Sequence, residues 1–287
     1  METTFSVSPA PRRLPAVLKL RLYFGGIISQ IGWFFGVIGL LFSWAFGVGS
    51  VIKSMYFFSG SLDVAQGLII HVESTGASEN DVDVMRMDYV FELDGKQIPG
   101  RSYHTGEFYE EGTVVDVEYS FQNPEHSRIV GMRSTSFGKG IFFILIFPLI
   151  GFLIVSFCLH QGRKLISLLK NGQPAVGTIV EKGLSNISVN DVPLTRLTFE
   201  FTAIDGRIFR ISEDTGQPEL LEDDAHEKLL YDPKNPEQAK MLDALPGDVE
   251  FDAMGQLQMR EHKGILSLVA ILILPILSLI ILFFIFK

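Results

Sequence analysis

The chain has 287 residues, 47% of them hydrophobic and 20% charged, with a net charge of −9 and a single cysteine. An acidic excess repels phosphate backbones, so the sequence is read as excluding nucleic-acid partners. Cys158 has no second cysteine to pair with, which rules out a disulfide within the chain and makes it a small apolar packing residue.

Residues 1–23 form a basic flank. Met1 to Pro15 contains three prolines and is expected to be disordered. Arg12, Arg13, Lys19 and Arg21 then lead into residues 24–48, which carry no ionisable side chain. That run far exceeds a signal-peptide core, so it is expected to stay in the protein as a membrane anchor. Two further apolar runs, 141–159 and 264–286, complete a set of three expected transmembrane helices, each long enough for a hydrocarbon core of ~30 Å. Pro148 and Pro275 fall inside the second and third and are expected to bend them. Helical spacing continues beyond the first two spans as stalks, 49–60 and 160–172, until Ser59-Gly60 and Asn171-Gly172 stop it.

Between the spans lie two modules, 61–135 and 173–250, with recurring landmarks. The first carries Ala65-x-Gly67-x-Ile69, Asp94-Gly95, Thr105-Gly106 and Asn123-Pro124-Glu125; the second carries Ala175-x-Gly177-x-Ile179, Asp205-Gly206, Thr215-Gly216 and Asn235-Pro236-Glu237. The order is kept with steps of 29, 11 and 18 residues in one and 30, 10 and 20 in the other, which points to internal duplication. Met85, Met87, Tyr89, Phe91 and Leu93 alternate with more polar residues, as do Leu197, Phe199 and Phe201, so both stretches are expected to be half-buried strands. Each runs into Asp-Gly, the pair favoured in two-residue hairpin turns. Val115, Val117 and Tyr119 form another inward face, and Tyr119 and Tyr231 each stand four residues before an Asn-Pro expected to form a type I turn. The fold class read from this order is a membrane α + β chain. Three transmembrane helices alternate with two duplicated antiparallel β-barrel or β-sandwich modules, each of about five short strands.

Asn171-Gly172-Gln173-Pro174-Ala175-x-Gly177, the strand Gly112 to Tyr119, and Tyr231-Asp232-Pro233-x-Asn235-Pro236 together resemble a family of bacterial membrane proteins carrying a domain of unknown function. The first copy departs from the pattern with Ser120-Phe121 in place of Asp-Pro. The resemblance implies membrane attachment and no assigned catalytic activity.

The sequence offers no catalytic, cofactor or metal site. The six histidines, at 71, 104, 126, 160, 226 and 262, make no metal-ligand spacing, and no nucleophile elbow, phosphate loop or dinucleotide fingerprint is present. The acidic run Glu213, Asp214, Glu219, Glu222, Asp223, Asp224 and Glu227 reads as a solvated loop, with Glu107, Glu110 and Glu111 in the corresponding place of the first copy. Gly32, Gly36, Gly39, Ser43 and Gly47 repeat small residues along the first span and are expected to pack helices closely, within the chain or between copies.

Lysine and arginine near the span ends number nine on the side of the N-terminus and second module against five on the other. This favours a cytoplasmic N-terminus with the first module outside, and the resemblance implies a bacterial plasma (inner) membrane. The expected partners are the lipid bilayer and a protein partner or a second copy. The expected function is that of a non-catalytic membrane protein whose β modules scaffold or bind other proteins. The alternative is an oligomeric transport or permeability component built from units of opposite orientation.

Overall fold

The computed structural model describes residues 7–106, 108–189, 191–222, 226–243, 249–252, 255–259 and 265–286. Its elements run α1 (Ala16–Phe24), α2 (Ile27–Ala45), α3 (Val48–Phe57), β1 (Leu62–Glu79), β2 (Val82–Leu93), β3 (Lys96–Thr105), β4 (Val114–Ser120), β5 (Asn123–Ile129), α4 (Ile146–Asn171), β6 (Gln173–Val189), β7 (Val192–Thr202), β8 (Ile208–Thr215), β9 (Glu227–Asp232), β10 (Asn235–Met241) and α5 (Ile265–Phe286). A short ribbon pairs Val249–Phe251 with Leu257–Met259. The chain divides into two compact units. The first unit comprises Met1–Phe34 with Ile150–Ile276, and the second Phe35–Leu149 with Leu277–Lys287.

Each unit holds one five-stranded antiparallel sheet, giving a mixed α + β chain. The order β3-β2-β1-β4-β5 in the second unit has the same form as β8-β7-β6-β9-β10 in the first. Register agrees as well as order. Gly67 pairs with Phe91 as Gly177 pairs with Phe201, and register shifts fall between Ile69 and His71 and between Ile179 and Glu181. The central strands are long, 18 residues in β1 and 17 in β6, contrary to the short strands expected. The length is used in succession, the first part of each strand pairing with one neighbour and the rest, which carries the bulges, with the other. In the second unit the bend brings the edge strand back, and Tyr103 and Arg133 exchange both backbone bonds at 2.7 and 3.0 Å, nearly closing a barrel.

The alternating faces are buried where the periodicity puts them. Met87, Tyr89, Phe91, Val117 and Ile129 fill one core, and Leu197, Phe199, Phe201, Leu229 and Tyr231 the other. Each large side chain fully buried in this way contributes about 1.5–3 kcal/mol relative to exposure. Both cores repeat one aromatic pair, Phe91 with Tyr119 at 5.5 Å between centroids and Phe201 with Tyr231 at 5.4 Å.

The hairpin turns are less uniform than the sequence implies. Asp94 and Gly95 both have positive φ, 51° and 74°, and form the two-residue turn closed by Leu93 and Lys96. Asp205-Gly206 instead closes a longer loop. Gly206 N–H donates to the Ala203 carbonyl, and only Gly206 of the pair has positive φ. The Asn-Pro pairs are not turns. Asn123 and Asn235 open the returning strands, facing Ser120 and Asp232 across two-residue turns, and register shifts follow at Pro124 and Pro236. Proline has no N–H to give a ladder, so an irregular strand start accommodates it.

Among the described residues two helices, Ile27–Ala45 and the segment Lys139–Asn171, are long and apolar enough to cross a membrane. The three expected spans are thus two. The third expected span is a helix, α5, within which Val269–Ile285 forms a shorter apolar stretch. Pro148 falls within the Lys139–Asn171 segment. It lies in the first turn of α4, after a 3₁₀ segment Lys139–Leu145, where its missing N–H has no helical acceptor to lose. Pro275 is inside α5.

Residues 7–15 are ordered, against expectation, because Arg12 ties them to the end of α4. Its backbone N–H donates to the Lys170 carbonyl at 2.8 Å, and its guanidinium donates to the carbonyls of Ser8 at 2.8 Å, Leu169 at 3.1 Å and Gly172 at 2.8 Å. The last carbonyls of a helix lack internal donors, and a cation there also meets the negative end of the dipole. Met1 to Ser6 lie outside the described residues.

Two substitutions test this packing. A Cβ at Gly100 would lie 2.3 Å from the ring of fully buried Tyr89, so Gly100→Ala should destabilise its module by about 1–3 kcal/mol in thermal or denaturant unfolding. Arg12→Met, which keeps bulk and removes the donors, should cost about 1.5–3 kcal/mol and raise amide exchange at the start of β6.

Candidate functional site

The expected site residues are spread by the fold. The small residues of α2 face other helices of their own unit. A Cβ at Gly32 would come within 3.0 Å of Gly151 O and the side chains of Ile154 and Val155, and one at Gly39 would strike Pro148. Gly36 is buried between them. Ser43 donates to the Gly39 carbonyl at 2.7 Å, and Gly47, with φ of 70°, breaks the helix between α2 and α3. Gln30, the one amide in this run, is also used internally, donating to the carbonyls of Phe24 and Ile271.

The acidic residues are engaged in pairs instead of gathered into a ligand set. Glu213 accepts two bonds from Lys240 at 2.8 Å, Asp214 accepts from Arg196, and Glu222 pairs with Lys182 at 2.7 Å. Part of the expected loop is structured, as the end of β8 and a 3₁₀ turn Pro218–Leu221. Asp223, Asp224, Glu107 and His262 lie outside the described residues. No group of three or more His, Cys, Asp or Glu that could hold a metal occurs among the described residues.

Two charged clusters of the first module escape sequence reasoning because their members are far apart in the chain. Arg133 donates to both oxygens of Glu79 at 2.8 and 3.0 Å, and Thr105 donates to the same carboxylate at 2.8 Å. Burial works to raise the Glu79 pKa, but the hydrogen bonds from Arg133 and Thr105 outweigh it and hold the carboxyl below its usual range. On the bulge of β1, His71 faces Glu111 at 3.0 Å and Glu73 at 3.4 Å. Hydrogen bonding to Glu111, then to Glu73, raises its pKa above 6.5.

A concavity of about 780 Å³ in the first unit combines apolar walls with polar groups, and its size is within the usual range for ligand sites. The end of α1, the start of α2, the middle of α4 and part of β10 enclose it. Leu22, Phe157, Leu165 and Leu168 supply apolar wall, while Gln161, Lys164, Gln238 and Lys240 lie at its polar margin. Ser29 also lines it, is 2% exposed, and has an Oγ with no hydrogen-bond partner. Cys158 is on the wall, a half-buried free thiol. Ser29 and Lys164 were not legible as a pair, since a serine in an apolar run and a lysine beyond another meet only after helix packing.

No family model matches the chain, and no curated protein does. Among solved structures, a chain of a replication protein A heterotrimer bound to ssDNA aligns at 8% identity, over 64% of this chain and 49% of its own, with a TM-score of 0.17. This chain thus spans about half the length of that one, and a likeness of this degree carries no argument about binding. The exclusion of nucleic acid is nevertheless corrected. A net charge of −9 is a whole-molecule sum that leaves local surfaces undetermined. The bilayer, protein and self-association partners expected alongside that exclusion gain no support from the comparisons.

The His71 contact gives a pH-dependent outcome. Carboxylate neighbours favour the protonated ring, so the contact is fully present below pH 6.5 and is lost as pH rises through the raised value. NMR titration of the whole chain should place His71 above 6.5, and Glu111→Gln should return it towards that value.

Proposed function

We propose that the chain is a membrane-embedded protein without catalytic activity of its own, whose two duplicated β modules serve as interaction or scaffold elements. Membrane embedding is supported by α2 and the Lys139–Asn171 segment, which have the length and apolarity to cross a bilayer. Duplication is supported by the common strand order, register and bulge positions. The resemblance to bacterial membrane proteins with a domain of unknown function agrees with both.

The observation that carries the interaction reading is an outward aliphatic surface on the modules. The extra residue of the first bulge is exposed and aliphatic in both, Ile70 at 50% and Val180 at 46%. In the first module Leu68 and Val114, paired across β1 and β4, are exposed beside it. Bulges re-aim side chains, and contiguous exposed apolar surface marks contact sites. A transport component assembled through the small-residue stripe of α2 is the weaker alternative, because those residues already pack against helices of the same chain.

Mild crosslinking of cells followed by purification tests the reading. Ile70→Asp with Val180→Asp should remove crosslinked proteins recovered with wild type while leaving the fold intact. Recovery of the wild-type chain alone under several growth conditions sinks the interaction role.

Orientation is tested separately. The first module lies between the two candidate spans and the second follows both, so crossing by each puts the modules on opposite faces. In a Cys158→Ser background, Glu110→Cys should react with an impermeant maleimide in intact cells and Glu237→Cys only after lysis. Reversed labelling inverts the topology; labelling of both in intact cells removes one crossing.

A further inference from the structure

We infer that the cavity of the first unit binds an anionic phospholipid, with the phosphate at the N-terminus of α2 and an acyl chain along the apolar wall. The inference rests on the membrane reading above. The first internal bond at that end of α2 runs from Gln30 N–H to the Gly26 carbonyl at 3.0 Å, so the amides of Ile27, Ile28 and Ser29 precede the helical ladder. Such donors, at the positive end of the helix dipole, suit a phosphate oxygen. Ser29 adds an independent pointer. Its hydroxyl is buried, borders the cavity and lacks a partner, a state that a bound acceptor relieves.

Charge at the margin is complementary. Lys164 is exposed and forms no ion pair among the described residues, whereas Lys240 is held by both oxygens of Glu213. One lysine is thus available for an anion, and Glu213 keeps the second from adding a full charge. The remaining wall selects between anions. Leu22, Phe157, Leu165 and Leu168 would stay wet around inorganic phosphate, and a neutral acyl compound would leave Ser29 and the α2 amides without an acceptor. An amphiphile with a phosphate head meets both needs, as basic pockets between membrane helices do for anionic lipids.

The test uses the whole chain in a neutral detergent, with native mass spectrometry of added short-chain phosphatidylglycerol and chain-matched phosphatidylcholine. Phosphatidylglycerol should be retained at a several-fold lower concentration than phosphatidylcholine. Lys164→Glu should weaken that retention by about tenfold, the loss expected for one charge-assisted hydrogen bond. Ser29→Ala and the milder Lys164→Gln should weaken it in the same direction, and Lys234→Glu, on an exposed turn outside the cavity, should not. Equal retention of the two lipids, or normal retention by Lys164→Glu, overturns the inference. Displacement of the lipid by millimolar inorganic phosphate also overturns it, by reassigning the polar end to a soluble anion. If the membrane reading itself fails, the chain is recovered in the soluble fraction without detergent, which is distinct from a membrane-bound chain lacking lipid preference.

Discussion

Each β module depends on one long strand that pairs with one neighbour along its first part and with another along the rest, the two pairings meeting at a glycine. β1 pairs with β2 and β4, and β6 with β7 and β9, so the remaining strands are arranged around these two. The constraint is tightest at Gly67 and Gly177. A Cβ at Gly67 would come within 2.8 Å of Val117, and one at Gly177 within 3.0 Å of Leu229. Close approach there, followed three residues later by the extra residue of a bulge, lets a single strand curve across the core instead of splitting into two sheets.

That constraint explains what was legible in the sequence. Gly67 and Gly177 stand out because Val117 and Leu229 leave little room for a Cβ there, and the alternating faces at Met87 to Phe91 and Leu197 to Phe201 stand out because burial repeats every second residue. Asp94-Gly95 was legible for the same local reason, a backbone with positive φ. Asp205-Gly206 looks identical in sequence yet ends a longer loop, since Ala203 is buried and draws the chain inward before the turn closes. Local chemistry permits both turns, and packing chooses between them.

The rest was hidden because it depends on distant residues. Arg12 looks like one of four basic residues flanking a span, and nothing nearby reveals that it fills the end of a helix some 160 positions away. The acidic run at 213–222 looks like a free anionic loop until its arginine and lysine partners arrive from neighbouring strands. The cavity is the extreme case. Its lining comes from four separate elements, and only Ser29 leaves a trace in sequence, as a hydroxyl in an apolar run.

The two modules are also mounted differently. α4 continues without a break from its apolar stretch through Asn171, and β6 begins at Gln173, with Gly172 N–H bonded to the Leu168 carbonyl at 2.7 Å. The helix before the first module is interrupted at Gly47, whose left-handed backbone separates α2 from α3 before α3 stacks Phe57 on His126 of β5 at 3.6 Å. The second module is thus mounted on an unbroken helical shaft, whereas the path from α2 to β1 passes through a joint at a single left-handed glycine.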